Sequence, residues 1–220
     1  MFPQLARRRT GGNSRIGCIL DLPLRYLEGS SFMSRDVYGH LCTNYGSKWQ
    51  LDGRYFDGNK RYIATPLIAD VGIGDFSLEM LVKPEVLAGD HRVLFVNRTL
   101  GTFQHSLDNG GLNAKMIAWY ASSSGGVNLL SSALSWILGN HYYLTWFRLG
   151  LMMQMYHNTL QALSATSQPA NVTATTTMDI GYRVSPAQHP WHGTISRVRF
   201  HRFTEYVPRV LERVIEGRRR

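Results

Sequence analysis

The segment DFSLEMLVKP, residues 75–84, alternates strictly: Phe76, Leu78, Met80 and Val82 fall on one side, Ser77, Glu79, Leu81 and Lys83 on the other. A period of two is what a half-buried strand demands, because successive side chains of extended backbone point to opposite faces. The same signature returns in HRVLFVNRT (91–99), TFQHSL (102–107), AKMIAWYA (114–121), HYYLTWFRL (141–149), LMMQMYHN (151–158), TMDIGYR and GTISRVRFH. Between these segments lie Gly, Asn, Ser and Pro, the residues of turns. Many short strands with few helical signals predict an all-β sandwich or barrel. No repeat of fixed period is present, which excludes a propeller or solenoid. Gly150 predicts a tight hairpin turn, and Asp57-Gly58-Asn59 within GRYFDGNKRYIATP (53–66) predicts the turn of another hairpin.

The charge is unevenly placed. Of the net +9, residues 1–15 carry four arginines and no acid, and residues 183–220 carry nine arginines against three glutamates. The body between them is nearly neutral, whereas a nucleic-acid-binding domain threads a basic stripe through its fold. Nucleic acid is therefore disfavoured as a partner, except through the basic termini. Residues 1–15, too polar to fold alone, predict a flexible arm in which Arg7, Arg8 and Arg9 meet a neighbouring subunit. In residues 204–220, Val207, Val210, Leu211, Val214 and Ile215 form one apolar stripe at helical spacing, which predicts a C-terminal α-helix with a basic tail. The single domain expected between them spans 16–203.

The longest apolar runs, such as LLSSALSWIL (129–138), fall short of the ~20 residues a membrane helix needs. The start, MFPQLARRRTGG, lacks the apolar core of a secretory leader. Two cysteines, Cys18 and Cys42, are too few for a disulfide framework or a zinc ribbon; two buried thiols or one bridge are the readings left.

The order of CILDLPL, an FDG turn followed by YI and Pro, FSLEMLVKP, HYYLTWFRLGLMMQMYHN, MDIGYR and WHGTISRVRFH resembles the concanavalin A-like, laminin-G-like jelly-roll domain over about residues 16–206. That resemblance implies a jelly-roll β-sandwich in a superfamily of lectins, glucanases and phage or microbial proteins. This chain departs from the pattern at several positions. Lys60 and Arg61 replace two acids after the FDG turn, so calcium is disfavoured there, since a hard cation wants carboxylate oxygens. The turn at Tyr156-His157-Asn158-Thr159 lacks the usual glycine.

No strand carries the paired carboxylates that a retaining glycosidase holds ~5 Å apart, and no acid occurs between Asp108 and Asp179. Glu79 stands alone in its strand and is expected to be a structural acceptor. No nucleophile elbow, P-loop or dinucleotide fingerprint is present. His189 and His192 form a loop pair without a third metal ligand. Sugar binding needs an aromatic platform beside hydrogen-bonding groups. The candidates are Trp119 with Tyr120, Tyr156 with Asn158, and Trp191 with His192, although one of two adjacent aromatics on a strand must point inward. These features predict a non-catalytic module of a larger assembly, such as a virion or surface structure, with self-assembly or neighbouring subunits as partners and no cofactor. A carbohydrate-binding, lectin-like module is the alternative, and a glycoside hydrolase the third reading.

Overall fold

The computed structural model describes residues 17–68, 71–72, 74–89, 91–98, 103–122, 125–150, 152–165, 176–184 and 190–202. The arm, with Arg7, Arg8 and Arg9, and the helix expected over 204–220 lie outside the described residues. The strands are β1 (Cys18–Leu22), β2 (Ser31–Met33), β3 (Leu41–Tyr45), β4 (Lys48–Gln50), β5 (Gly53–Asp57), β6 (Tyr62–Ile68), β7 (Phe76–Pro84) and β8 (Arg92–Asn97). They continue as β9 (Phe103–Leu107), β10 (Met116–Ser122), β11 (Gly125–Leu130), β12 (Tyr142–Leu149), β13 (Met152–His157), β14 (Leu160–Ala165), β15 (Thr177–Ile180) and β16 (His192–Arg202).

They form an antiparallel sandwich of two eight-stranded sheets. Sheet A has the order β14-β13-β12-β7-β16-β5-β4, with β1 also paired to β16. Sheet B has the order β11-β10-β9-β8-β15-β6-β3-β2. The alternation in β7 is the one expected: Phe76, Leu78, Met80 and Val82 are fully buried core residues. The hairpin at Gly150 also forms, pairing Leu149 with Met152 and Arg148 with Met153.

The turn at Asp57-Gly58-Asn59 is not a hairpin. β5 pairs with β16 and β4 in sheet A, whereas β6 pairs with β15 and β3 in sheet B, so the turn carries the chain across the sandwich. The Asp57 carboxylate accepts the Asn59 N–H at 3.1 Å and faces Arg61 Nε at 3.5 Å. It therefore holds its own turn together.

Aromatic rings fill the space between the sheets. Phe76 and Phe200 of sheet A meet Phe103 and Phe95 of sheet B at centroid distances of 5.5 and 5.8 Å. Each fully buried ring of this kind contributes ~2–3 kcal/mol of transfer free energy. His105 lies among them, edge-on to Trp146 at 5.2 Å, and shares a 2.8 Å hydrogen bond with the Tyr120 hydroxyl. Cys18 and Cys42 are both buried and free, and burial, the first cause for each, pushes their pKa values up to about 12.

β16 is the longest strand and the most heavily used. One edge pairs with β7, and the other pairs first with β5, over His192–Ile195, and then with β1, over Val198–His201. A register shift between Ile195 and Arg197 separates the two halves. Gly53 packs on that irregularity, where a Cβ would overlap the Ile195 carbonyl. At its far end, the Arg202 N–H bonds the Gly17 carbonyl at 2.9 Å.

Gly193, within WHGTISRVRFH, stands where only glycine fits. Its φ is +144°, and a Cβ would overlap the Lys83 carbonyl oxygen on the neighbouring strand. Gly193→Ala is expected to cost ~3 kcal/mol or more in urea unfolding, because φ strain and a backbone clash add. Gly150→Ala, at φ +56° with open space around it, should cost only ~1 kcal/mol.

A pH dependence follows from two buried histidines. Burial lowers the pKa of His105 from 6.5 to about 3 and that of His157 from 6.5 to about 4. The unfolded chain takes up these protons near pH 6.5, and the folded chain does so only well below. Their contribution to stability is thus complete above ~6.5 and is lost as the pH falls from there towards 4. Calorimetry should show Tm decreasing across that window, with a shallower slope in His105→Gln.

Candidate functional site

The outer faces of the two sheets differ in chemistry. On sheet A, the residues of β7 that point away from the core meet those of β16, β12 and β1. Asp21 accepts from Arg197 Nη2 at 3.2 Å and from Arg199 Nε at 3.4 Å. Arg199 Nη1 lies 3.8 Å from Glu79, whose carboxylate also accepts the Tyr143 hydroxyl. His201 Nε2 is 3.9 Å from the same carboxylate. Burial opposes the Arg199 charge, but Asp21 and Glu79 outweigh it and raise its pKa. Both acids are nearly inaccessible, and Arg199 sits between them in register. Glu79 is the structural acceptor its isolation in the strand suggests.

On sheet B the registers place one residue of every strand in a single row: Asn128, Trp119, Gln104, Val96, Asp179, Ala64, Thr43 and Ser31. The alternating neighbours Phe103, Tyr120, Met178 and Ile63 are core, so this row faces outward. At one end His91, Gln104, Ile117, Trp119, Asn128 and Arg183 line an open cleft of about 190 Å³. Trp119 is 37% exposed there. Arg183, just past β15, reaches Gln104 Oε1 through Nη1 at 3.5 Å, and its buried Nε has no hydrogen-bond partner among the described residues. Desolvation lowers the Arg183 pKa.

Next along the row, Arg98 forks onto Asp179 with contacts of 2.7–3.2 Å, and this bonding raises the Arg98 pKa. Beyond the pair, Tyr45 stacks on Tyr62 with centroids 4.5 Å apart, and Tyr182 tilts against Tyr62 at 6.3 Å. The face thus has two aromatic surfaces, with amide and guanidinium groups and the pair of Arg98 with buried Asp179 between them. Among the described residues no cluster of three His, Cys, Asp or Glu side chains is placed to hold a metal.

The six residues singled out from the sequence do not converge. Trp119 lines the cleft, whereas its neighbour Tyr120 is 1% exposed and belongs to the core. Trp191 is likewise fully buried, so neither of these offers a surface to a ligand. Tyr156 is on the opposite side of the protein, on the outer face of sheet A, stacked on Phe147 and bonded to Gln154. His192 shares a 3.2 Å hydrogen bond with the Tyr55 hydroxyl, and His189 lies outside the described residues. Asn158 supplies the turn: its φ of +57° is the left-handed conformation usually left to glycine, and its Oδ1 accepts the Tyr143 N–H at 2.9 Å. The missing glycine of the pattern is thereby replaced.

Gln104, Asn128, Arg183, Tyr45, Tyr62 and Tyr182 have no distinguishing motif. Gln104, Asn128, Tyr45 and Tyr62 are out of phase with the core residues of their own strands, and Tyr182 and Arg183 follow β15, but only the pairing of strands distant in sequence brings them together.

A family model described as the concanavalin A-like lectin/glucanases superfamily, of laminin-G type, matches residues 57–204. The chain belongs to that superfamily. No curated protein matches it. Among solved structures, the ligand-binding domain of botulinum neurotoxin serotype D, in complex with N-acetylneuraminic acid, is 10% identical with a TM-score of 0.71, over 92% of this chain and 51% of that one. The botulinum serotype G binding domain is 11% identical with a TM-score of 0.71, over 91% and 51%. Trypanosoma rangeli sialidase is 16% identical with a TM-score of 0.67, over 92% and 33%. This chain therefore spans half of the toxin domains and a third of the sialidase, and the likeness is one of fold.

If Asn158 is a turn residue, Asn158→Ala should destabilise the protein by ~1–2 kcal/mol, through the left-handed φ and the lost acceptor. Asn158→Gly, which keeps the backbone relaxed, should lose less in the same chemical denaturation.

Proposed function

We propose that this protein is a non-catalytic carbohydrate-binding module whose ligand lies on the outer face of sheet B, over Trp119. The exposed indole in the cleft carries this reading. A tryptophan ring offers a flat apolar surface to the CH face of a sugar, and the flanking Gln104, Asn128 and Arg183 can bond its hydroxyls. Membership of a superfamily of lectins and glucanases agrees with it, as does the fold likeness to a toxin domain solved with N-acetylneuraminic acid.

A binding role is favoured over hydrolysis by the placement of the acids. The cleft has no carboxylate among its described lining residues, and most glycoside hydrolases use two flanking the scissile bond. Asp21 and Glu79, on the other sheet, are separated by the guanidinium they share. The assembly role expected from the basic termini draws on residues 1–15 and 204–220, which lie outside the described residues. The cleft is the observation that favours glycan binding over it.

The test is a glycan microarray followed by calorimetric titration. Retention of a glycan class without turnover is expected. Trp119→Ala should weaken that binding by about tenfold or more, as loss of a central aromatic anchor does, at unchanged Tm. An array without binding, or a Trp119→Ala variant that binds as well as the parent, would overturn the proposal.

A further inference from the structure

The cleft over Trp119 has a chemical bias. Its one permanently charged lining group is Arg183, and no acid lines it among the described residues. The nearest carboxylate in the row, Asp179, is fully buried and held by the Arg98 fork. Among the described residues Arg183 makes a single long contact, to a neutral amide, although a guanidinium has five donors. Other partly buried arginines among the described residues hold more and shorter bonds, although one nitrogen of Arg148, Nη1, is also without a partner. Arg98 is paired with Asp179, Arg197 and Arg199 are paired with Asp21, and Arg148 donates to the Gly72 and Gly74 carbonyls. A partly desolvated cation without a counter-charge is costly to keep unless something else supplies the charge.

We propose that the glycan bound on this face is acidic, and that its anionic group, a carboxylate or a sulfate, pairs with Arg183 while the sugar ring lies on Trp119. This rests on the carbohydrate-binding reading and narrows it to a substrate class. An anion in the cleft would meet the under-used guanidinium at close range, with the Gln104 and Asn128 amides placed to bond neighbouring hydroxyls. A neutral sugar would gain the stacking and the amide bonds but would leave Arg183 as it is. Arg183 is thus the specificity-determining residue and Trp119 the general anchor.

The experiment compares matched probes on the full chain by calorimetric titration: sialyllactose with lactose, oligogalacturonate with its methyl ester, and dextran sulfate with dextran. The acidic member of at least one pair should bind at least about tenfold more tightly, as a charge-assisted pair implies. The first two pairs report a carboxylate and the third a sulfate. Arg183→Gln should erase that preference and leave the weaker neutral binding, Arg183→Lys should retain part of it, and Trp119→Ala should weaken both members. Lys60→Gln, which removes an exposed charge elsewhere, controls for general attraction of polyanions by a protein of net charge +9. Equal binding within every pair, or a preference that Lys60→Gln lowers as much as Arg183→Gln, would overturn the acidic-ligand proposal while leaving Trp119-dependent binding intact. Absence of binding by all six probes would overturn it too, and only failure on the wider array would also remove the carbohydrate-binding reading.

Discussion

The pairing of β16 on both edges is the constraint on which the rest of the sandwich depends. This strand bonds β7 along its length and divides its other edge between β5 and β1. Its inward residues Val198 and Phe200 are fully buried, and Phe200 stacks with Phe95 of the opposite sheet. One strand therefore fixes three neighbours in sheet A and the spacing to sheet B. Two glycines on or against it, Gly193 and Gly53, occupy positions where any Cβ would meet backbone rather than a side chain that could move aside.

With the core settled in this way, the two outer faces are free to diverge. Sheet A turns its polar residues on one another: each carboxylate finds an arginine, and Glu79 also takes a tyrosine hydroxyl. Sheet B leaves Trp119 exposed and Arg183 short of partners among the described residues, and the ion pair in its row, Arg98 with Asp179, is already closed. The exposed indole and the under-bonded guanidinium are what favour sheet B as the proposed binding face.

The sandwich was legible in the sequence because alternation is a local signal: Phe76, Leu78, Met80 and Val82 declare a buried face within ten residues. Sheet membership was not local. Nothing in GRYFDGNKRYIATP distinguishes a hairpin turn from a crossing between sheets, since both need Gly58 in a left-handed conformation and a short polar turn. For the same reason only part of the site could be read. Adjacent Trp119 and Tyr120 require one ring inside and one outside, but strand phase decides which, and that phase is set by packing against Phe103 and Phe76. Arg183 and Gln104 come into contact only after β15 and β9 take their places on either side of β8.

The bond between Arg202 and Gly17 has a consequence for how such a domain can be carried. Gly17 and Arg202, the first and last of the described residues, lie one hydrogen bond apart, so the described body opens and closes at a single point. A unit of this kind can be spliced into a surface loop of another protein by displacing the loop ends only a few ångströms, because closely spaced termini tolerate insertion and circular permutation. The same geometry would let a host protein display the module on a short double tether, free to turn the outer face of sheet B outward.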